Sequence, residues 1–489
     1  MSTVNAVGFD FGTTRSKAAV VDQTERPFSV QNSRGDFWTP SAIFFEKGKP
    51  TLIGVDAMNE GFVKPQDFVC NFKLKLGTND ILYRGLQDYT ATDLASIMLG
   101  ELKKDAERRT NTVVSEAVFS CPANFRDDAK QALLEACRTA GIEPLGLISE
   151  PAAAGLAYAF SKGYDQTFAV VDLGGGTLDV SLMEVTGNTI TVKATDGVAK
   201  LGGNDFTDVI ERHVLEQFGK QAGYMPSIQA DPLFFQELRQ KAEAAKVTLS
   251  DREKTNIVIG CRGKQAILEI KRADFVSWCK PLFDQAIDCA DKAIRGAGVA
   301  WRDVGSLIMV GGASRMPHLQ QKLADLTGLV PKMDLEPDRV VAMGAALKAR
   351  LILGEKGVLP HPNIFVKEVT AHGLGCAVLK PGGRDEADLI QSVIIPKNTP
   401  VPSQRTDHFF LEHESQDSVT IVVAQGEESQ PLKQCLKIGE LRLDNLPKES
   451  KRSKRIKVDF AIDPNGMAYV TATDVVGQAT KSVSVNYKK

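Results

Sequence analysis

Two hydrophobic patterns divide the chain. From residue 1 to about 357, short apolar runs alternate with stretches whose apolar residues recur every three or four positions, as at 92–109 and 128–140. Strands alternating with amphipathic helices are typical of an α/β domain with mainly parallel sheets. After residue 370 the apolar residues form short, often alternating runs between turn residues. This part predicts an all-β module.

The predicted strands of the β module are separated by turn signals. Pro464–Asn465–Gly466 lies between two of them and is typical of a hairpin turn. The clearest apolar runs are Val419–Ala424, Asp459–Ile462, Met467–Thr473 and Ser482–Tyr487.

A linker of unusual composition joins the two parts. Pro360 and Pro362 prevent a helix from continuing through it. Ile364, Phe365 and Val366 are apolar, whereas solvated linkers are normally rich in Gly, Ser or Pro. Burial would stabilise each by about 1.5–3 kcal/mol, so we expect the segment to dock in at least one state. The alternative is that it is the first strand of the β module.

These patterns predict three segments. Residues 1–357 form a first domain, 358–368 an apolar linker and 369–489 an all-β module. A repeated glycine-rich plan inside the first domain indicates what that domain binds.

Composition excludes several classes of function. The 489 residues include 59 basic and 61 acidic side chains, so the net charge of −2 gives no global attraction to nucleic acid or to an anionic membrane. The eight cysteines are dispersed without a CxxC pair, which argues against a zinc site or a disulfide framework. No leader pattern or run long enough to span a bilayer is evident, and we expect a cytoplasmic protein.

Two hairpins of the first domain share one plan. AVGFDFGTTRSKAAVV at 6–21 and VVDLGGGTLDV at 170–180 each place an aspartate, Asp10 or Asp172, between an apolar strand and a glycine turn. A single glycine cluster most often only makes a turn. Two copies favour a polyphosphate site, because glycines let an anion approach successive backbone N–H groups. The aspartates would then face Mg²⁺, directly or through its waters.

Other nucleotide motifs are missing or incomplete. Neither GxxxxGK[ST] nor a complete GxGxxG occurs in this half, so Walker-type and Rossmann sites are not predicted. A third glycine turn follows a strand at 308–317, and its Arg315 is suited to stacking on a purine. The helix predicted at 234–250 carries Arg239, Glu243, Lys246 and Ser250 on one face. That row could bind ribose and adenine, or it could be an ordinary solvated face.

The motifs together resemble the 70-kDa heat-shock protein family, the DnaK-like chaperones of the actin and sugar-kinase superfamily. They occur in the family's order across the whole α/β part. They are VGFDFGTTRS at 7–16, TPSAIFF at 39–45, FKLKLG at 72–77, SCPANF at 120–125, ISEPAAAGLAY at 148–158, VVDLGGGTLDV, LGGNDF at 201–206, KAEAAKVTLS at 241–250, VGGASRMP at 310–317 and EPDRVVAMGAA at 336–346.

The β part resembles the family's substrate-binding sandwich. It does so at 393–410, 419–427, 438–447 and 460–474. We expect the helical lid of typical members to be missing after these segments, through truncation or by nature. The resemblance implies an actin-like ATPase domain of two lobes with duplicated ribonuclease H-like folds, followed by an all-β sandwich.

The resemblance also implies roles for individual residues. ATP or ADP with Mg²⁺ would bind between the lobes, with K⁺ as a further candidate ion, and water would attack the γ-phosphoryl group. The implied catalytic residues are Asp10, Lys73, Glu150, Asp172 and Thr177, with Asp10 and Asp172 at the metal. The implied nucleotide-binding residues are Gly12, Thr13, Thr14, Gly174, Gly175, Gly176, Gly202, Gly203, Glu243, Lys246, Ser250, Gly311, Gly312, Arg315 and Asp338.

A second set would bind peptide and couple the domains. The residues implied around a groove for extended client peptides are Cys376, Leu379, Phe409, Val419 and Ile421. Each could equally belong to an ordinary sandwich core. The residues implied in interdomain coupling are Pro122, Lys130, Ile364, Phe365, Val366 and Glu368. A J-domain co-chaperone and a nucleotide exchange factor are the expected partners.

Several positions depart from the family pattern. Lys130 stands where many members have an arginine, Ala371 replaces a proline, and Lys367 interrupts an apolar linker. Ala313 and Val247 change two adenosine-contact positions. The basic run at 447–457 is interpreted as a charged loop rather than an RNA contact or import signal.

The favoured hypothesis is an ATP-driven, peptide-binding chaperone with a slow, stimulated ATPase. The alternative is a nucleotide-binding holdase or exchange-factor-like relative with little coupled hydrolysis. A small-molecule kinase of the same superfamily is disfavoured, because it explains neither the apolar linker nor the sandwich.

Overall fold

Contacts divide the chain into two compact units. The structure, a computed structural model, describes residues 5–22, 25–85, 87–162, 165–360, 363–383, 385–413, 415–447, 454–477 and 480–484. The first unit contains residues 1–124 and 132–366, and the second contains 125–131 and 367–489. The division at 366/367 falls inside the predicted linker. The sequence did not anticipate that 125–131 group with the second unit.

The helices lie in the α/β part of the chain. The α-helices are α1 Val55–Val63, α2 Ala91–Thr110, α3 Asp127–Thr139, α4 Glu150–Lys162, α5 Gly203–Ala222, α6 Pro232–Asp251, α7 Arg272–Trp278, α8 Lys280–Gly296, α9 Pro317–Thr327 and α10 Val340–Glu355. The 3₁₀ helices, two of them in the β part, are Pro65–Asp67, Phe72–Lys75, Trp301–Asp303, Gly312–Arg315, Glu386–Asp388 and Leu432–Gln434.

Among the described residues, the strands of the first unit form two large sheets and three small ones. They are β1 Ala6–Asp10, β2 Arg15–Val21, β3 Pro27–Ser29, β4 Thr39–Pro40, β5 Ala42–Phe44, β6 Leu52–Ile53, β7 Phe68–Cys70, β8 Tyr83–Arg84, β9 Asp88–Tyr89, β10 Glu116–Cys121, β11 Glu143–Ser149, β12 Gln166–Leu173, β13 Leu178–Thr186, β14 Thr189–Val198, β15 Lys254–Cys261, β16 Lys264–Lys271, β17 Ser306–Val310, β18 Pro331–Lys332 and β19 Phe365–Lys367.

The two large sheets repeat one topology. In the first, the order is β11-β10-β1-β2-β3, with β4 also pairing with β2. In the second, the order is β18-β17-β12-β13-β14-β19. Each is mixed, because the hairpin strands β1-β2-β3 and β12-β13-β14 are antiparallel whereas β10 and β17 run parallel to their neighbours. The α/β class is confirmed, but the expectation of mainly parallel sheets was wrong. Glycine hairpins reverse the chain directly and need no crossover helix.

Small residues and buried aromatic rings build the core of the first unit. Helix α10 packs against β1, β2 and β10 and against α4, which in turn contacts β12 and β13. Around the second sheet, helices α5, α6 and α8 bury one apolar cluster in which the rings of Phe206 and Phe283 lie 4.9 Å apart. Ala242, Ala245 and Leu249 of α6 belong to this cluster.

The second unit is built from two antiparallel sheets around a shared core. Their orders are β21-β20-β23-β24 and β22-β25-β26-β27. Val423 of one sheet and Phe460 of the other are fully buried in the same apolar cluster. The strands are β20 Leu374–Leu379, β21 Leu389–Ile395, β22 Ser403–Phe409, β23 Ser418–Gln425, β24 Leu436–Asp444, β25 Ile456–Ile462, β26 Ala468–Asp474 and β27 Thr480–Ser484.

The predicted hairpin turn in this unit is confirmed, whereas the interpretation of the basic run as a charged loop fails at Arg455. Pro464–Gly466 joins β25 to β26 as the sequence predicted, with Gly466 at φ +73°. Most of the basic run, residues 448–453, lies outside the described residues. At its end, Arg455 is buried and donates hydrogen bonds to both oxygens of Asp474 at 2.8 and 2.6 Å. Arg455 is therefore an interior residue and not part of a charged loop.

The apolar linker residues pair with the first unit. Strand β19 adds to the edge of the second large sheet beside β14, and the N–H of Phe365 donates to the carbonyl of Asn188 at 2.9 Å. The alternative that these residues begin the β sandwich was therefore wrong. Phe365 remains 47% exposed and Val366 is only half-buried, so the full burial considered from the sequence is not reached.

Candidate nucleotide-binding site

Two glycine turns of the first unit lie in direct contact. The turn after β1 carries Thr13 and Thr14, and the turn after β12 carries Gly174–Gly176. A Cβ atom added to Gly175 would lie 2.7 Å from Oγ1 of Thr14, so no larger residue fits there without a shift. Two opposed glycine turns suit an anion, because glycines let an anion approach successive backbone N–H groups.

Gly202 and Gly203 lie beside the second glycine turn, and hydrogen bonds from the start of α5 support that turn. The N–H of Gly203, the first residue of α5, donates to the carbonyl of Gly174 at 2.9 Å, and the N–H of Asn204 donates to Gly175 at 2.8 Å. Asp205 accepts a hydrogen bond from the N–H of Gly202 at 2.7 Å. Gly202 and Gly203, predicted in the nucleotide set, therefore lie at the start of a helix whose N-terminus meets the turn.

Strand register places a different residue opposite each aspartate. Asp10 pairs across its hairpin with Lys17, whereas Asp172 pairs with Asp179. On the parallel side, Asp10 has Ser120 as its neighbour and Asp172 has Val310. The Lys17 Nζ donates to Asp10 Oδ2 at 2.6 Å, and the Ser120 hydroxyl lies 2.9 Å from Oδ1. Asp10 thus has a donor on both sides.

The charges in this region act on one another strongly. Burial would raise the pKa of Asp10, but the charges of Lys17 and Lys73, with hydrogen bonds from Lys17 and Ser120, hold that pKa below its usual value. Burial raises the pKa of Asp172 well above its usual value, and the charges of Glu150, Asp179 and Asp10 raise it further. Burial, and then the charge of Glu150, raises the pKa of Asp179 to about 8.

Lys73 and Glu150 form a buried ion pair beside these groups. Lys73 lies on the 3₁₀ helix Phe72–Lys75, and Glu150 is the first residue of α4. Their Nζ and Oε1 atoms are 2.6 Å apart, and the side chains are 3% and 10% exposed. Burial disfavours the ammonium ion, but Glu150 and Asp10 outweigh that effect and raise the pKa of Lys73. Position 73 therefore carries an interior cation and not a surface charge.

The residues predicted to hold the nucleoside also come together. Lys246 is buried and donates to Glu243 at 2.6 Å and to the carbonyl of Gly203 at 2.8 Å. Arg315 donates to Asp338 at 3.0 Å. The reading of this helix face as merely solvated does not hold for Lys246. Ser250 lies one turn further along α6 and is half-buried.

The third glycine turn adjoins the second. Gly311 has φ +81°, and a Cβ atom there would lie 2.6 Å from Oδ1 of Asp172. Gly312 follows at the start of the 3₁₀ helix Gly312–Arg315. Thr177 closes the second turn, where its carbonyl accepts from the N–H of Gly174 at 3.1 Å. The structure thus places the three glycine turns next to one another.

These residues fit a magnesium ion bound together with phosphate. The donors are carboxylate oxygens, which Mg²⁺ prefers, and Asp179 Oδ2 is buried without a hydrogen-bond partner among the described residues. Burial and neighbouring carboxylates raise the pKa values of Asp172 and Asp179, and a bound cation would stabilise the ionised form of each. Within the described ranges, no group of three or more His, Cys, Asp or Glu side chains is arranged to hold a metal by itself.

Three residues of the site, Lys17, Ser120 and Asp179, were not predicted from the sequence. Lys17 and Asp179 each lie seven positions after the aspartate they face. Counting the hairpin register outward from each glycine turn would have identified both. Ser120 comes from a separate strand, and no local pattern in the sequence connects it to Asp10.

The predicted peptide-binding residues lie on or beside the core of the second unit. Cys376 and Ile421 are buried members of its apolar cluster. Phe409 and Val419 are half-buried and pack against that cluster, and Leu379 is half-buried at the end of β20. Cys376 and Ile421 therefore belong to the core of this unit, whereas Leu379, Phe409 and Val419 retain exposed surface.

The predicted coupling residues are spread over both units. In the first, Pro122 is buried directly after β10. Ile364 lines a small cavity with Glu25, Leu156, Phe160, Leu347, Arg350 and Leu351. In the second, the Lys130 Nζ donates to the carbonyl of Gly466 at 3.2 Å, and the carbonyl of Glu368 accepts from the N–H of Val401 at 2.9 Å.

Comparison with protein families covers nearly the whole chain. The family model described as Hsp70 protein matches residues 6–81 and 78–489. Members of that family are generally ATP-dependent chaperones that hydrolyse ATP with Mg²⁺ and bind client polypeptides. In the part of the chain that the structure describes, no helix is long and apolar enough to cross a bilayer. The match spans far more than half of the sequence, and the chain belongs to the Hsp70 family.

Proposed function

We propose that this chain hydrolyses ATP at the opposed glycine turns and uses nucleotide state to set the affinity of its β sandwich for extended apolar segments of client proteins. The observation that carries the proposal is the contact between the two turns beside the buried charges of Asp10, Lys73, Glu150 and Asp172. An ordinary turn does not require so many buried ionisable groups.

The proposed phosphate contacts use backbone and lysine donors. Backbone N–H groups of Thr13, Thr14, Gly175 and Gly176 would bind the phosphates. Gly174 would let them approach the turn, and Lys73 would reach the γ-phosphate. Mg²⁺ would be held near Asp10 and Asp172 and would neutralise phosphate charge. Positioning and charge neutralisation are the main requirements of phosphoryl transfer.

Glu150 and Thr177 would orient the attacking water. Glu150 accepts a hydrogen bond from Lys73 at 2.6 Å, which keeps both side chains in place. Burial raises the pKa of Glu150 above its usual value although Lys73 lowers it, so this carboxylate is a better proton acceptor than an exposed one. The nucleoside would bind between α6, through Glu243, Lys246 and Ser250, and the Gly312–Arg315 turn with Asp338.

The proposed coupling uses the apolar linker. Ile364 lies in its cavity, and Arg350 on α10 donates to the carbonyl of Pro360 and, at 2.9 Å, to Glu25. A segment held by one strand pairing and by the half-buried side chains of Ile364 and Val366 is suited to leave and return, because typical coupling free energies are only about 1–3 kcal/mol. Pro122, Lys130 and Glu368 belong to the same proposal, as do a J-domain co-chaperone and an exchange factor.

Single-turnover ATP hydrolysis tests the catalytic part. Lys73→Ala should lower the rate at least about 100-fold, because it removes a buried charge beside the reacting phosphate. Lys75→Ala is the matched control, since Lys75 lies on the same 3₁₀ helix but is 53% exposed and bonded to Asp80. Equal rates for Lys73→Ala and wild type would contradict the proposed role.

Peptide affinity tests the coupled part. An extended apolar peptide should bind more weakly in ATP than in ADP, and should accelerate hydrolysis reciprocally. Equal peptide affinity in both nucleotides, with hydrolysis intact, would remove the coupling. Measurable peptide binding without hydrolysis would instead favour the nucleotide-binding holdase.

A further inference from the structure

Lys17 is a half-buried cation that was not assigned a role from the sequence. It lies on β2, and its side chain is 14% exposed. Its Nζ atom lies 2.6 Å from Asp10 Oδ2. Because antiparallel pairing places the two residues opposite each other, the backbone of the hairpin determines this contact. The position of Lys17 beside Asp10 is therefore fixed by the strand pairing and not by the chance conformation of a surface side chain.

Lys17 retains unused hydrogen-bonding capacity. An ammonium group has three N–H donors, and Asp10 is the only hydrogen-bond partner of Lys17 among the described residues. Two donors are thus available to a ligand. The exposed part of the side chain shows that solvent, and hence a polar ligand, reaches it.

The acidic side chains around Lys17 favour a cation at this position. Asp10, Glu150, Asp172 and Asp179 form a buried acidic cluster. Lys17 and Lys73 are the lysines whose charges favour the ionised carboxylates of this cluster, and Lys73 is already paired with Glu150. A polyphosphate that entered would add further negative charge. Lys17 is the cation whose single carboxylate partner, Asp10, already has a second donor in Ser120.

We propose that Lys17 is a second phosphate-binding lysine of this site, which donates to the polyphosphate of the bound nucleotide while remaining beside Asp10. This inference rests on the proposed function, because it assumes that the opposed turns bind a nucleotide. It assigns to β2 a direct part in recognising phosphate. The ligand class is a nucleoside di- or triphosphate.

Calorimetric binding of adenosine, ADP and ATP to Lys17→Met tests the inference. The variant should bind ADP and ATP about 10- to 100-fold more weakly, the range expected for a lost charged hydrogen bond. Adenosine affinity should not change. Lys17→Arg, which keeps the charge, should recover part of the loss. Lys193→Met is the matched control, because Lys193 is a strand lysine paired with Glu184 across the hairpin at 3.3 Å but 45% exposed.

A double-variant comparison separates contact with phosphate from neutralisation of Asp10. If Lys17 binds phosphate, Lys17→Met should weaken ADP binding in the Asp10→Asn background as well. Residue 10 is then neutral, so the loss of Lys17 leaves no charge at that position unpaired. A loss confined to the protein with Asp10 intact would overturn the inference, since Lys17 would then act only through Asp10. The neutral pair also covers the case in which Lys17→Met alone fails to fold.

The remaining outcomes distinguish the inference from the proposed function. Wild-type protein that binds ADP, with Lys17→Met binding equally well, overturns the role of Lys17 and leaves the ATPase proposal intact. Wild-type protein that binds neither ADP nor ATP overturns both.

Discussion

The two glycine hairpins of the first unit share a plan but differ in charge. In each, an aspartate ends a buried strand, a glycine turn follows, and the returning strand places one residue directly opposite the aspartate. That residue is Lys17 in the first hairpin and Asp179 in the second. The parallel neighbour is Ser120 in the first and Val310 in the second.

The difference shows that backbone and charge are specified separately. The same turn can hold a carboxylate that is stabilised as an anion or one that is pushed toward its protonated form. The pKa of Asp10 lies below its usual value because two lysines and Ser120 outweigh burial, whereas that of Asp172 lies well above because burial and three carboxylates act together. The second hairpin is therefore the part that a bound cation stabilises more.

The strongest test gives the first hairpin the charges of the second. Lys17→Asp would place a carboxylate opposite Asp10 and should lower the free energy of unfolding of the nucleotide-free protein by about 3–5 kcal/mol, the cost of an uncompensated buried charge. Urea unfolding measures it. Lys193→Asp, at an exposed pair, should cost less than about 1 kcal/mol. A Lys17→Asp protein as stable as wild type would show that the Lys17–Asp10 pair does not contribute to stability.

A smaller effect should follow from neutralising the second hairpin. The pKa of Asp179 is about 8 in the folded protein and near 3.8 when unfolded, so the folded state binds the extra proton between these values. The free energy of unfolding without metal should therefore fall as pH rises from about 4 to about 8.

Asp179→Asn should reduce this slope and stabilise the protein at pH 8 by about 1–3 kcal/mol. The amide keeps the oxygen that accepts from the N–H of Asn124 at 3.3 Å. Urea unfolding at pH 5, 6.5 and 8 measures the slope. An unchanged pH dependence in the variant would assign the slope to other groups.

The smallest effect concerns the hydroxyl donor at Asp10. Ser120→Ala removes the hydrogen bond to Oδ1 and should cost about 0.5–1.5 kcal/mol of stability. In the Asp10→Asn background the cost should be smaller, because a charged acceptor is no longer present. Equal costs in both backgrounds would mean that Ser120 contributes by packing alone.

Much of the fold was predictable because it depends on patterns among residues that are close in the sequence. The alternation of strands and helices predicted the α/β class, and the apolar periodicity predicted α2, α3 and α6 to within about two residues. The turn at Pro464–Gly466 was evident because asparagine and glycine favour its backbone angles. The mixed direction of the large sheets was not predicted, since strand order depends on contacts far apart in the sequence.

The candidate site divides in the same way. Its glycine turns and the two aspartates were evident from the sequence, and the resemblance to a known family named Lys73, Glu150 and the nucleoside residues as candidates. That Lys73 is buried against Glu150, 77 positions away, and that Ser120 lies beside Asp10, 110 positions away, depends on folding. The position of the linker residues was also open, because Ile364 and Phe365 suit a strand of either unit.

The sequence by itself determined where the chain turns, which faces are apolar and which hairpins end in a carboxylate, because these depend on neighbouring residues. Only the tertiary structure decided which charges face one another. The strength of an electrostatic interaction depends on separation and burial, and both arise when distant segments pack. For that reason Lys17 and Asp179, equivalent in sequence position, place opposite charges at one site.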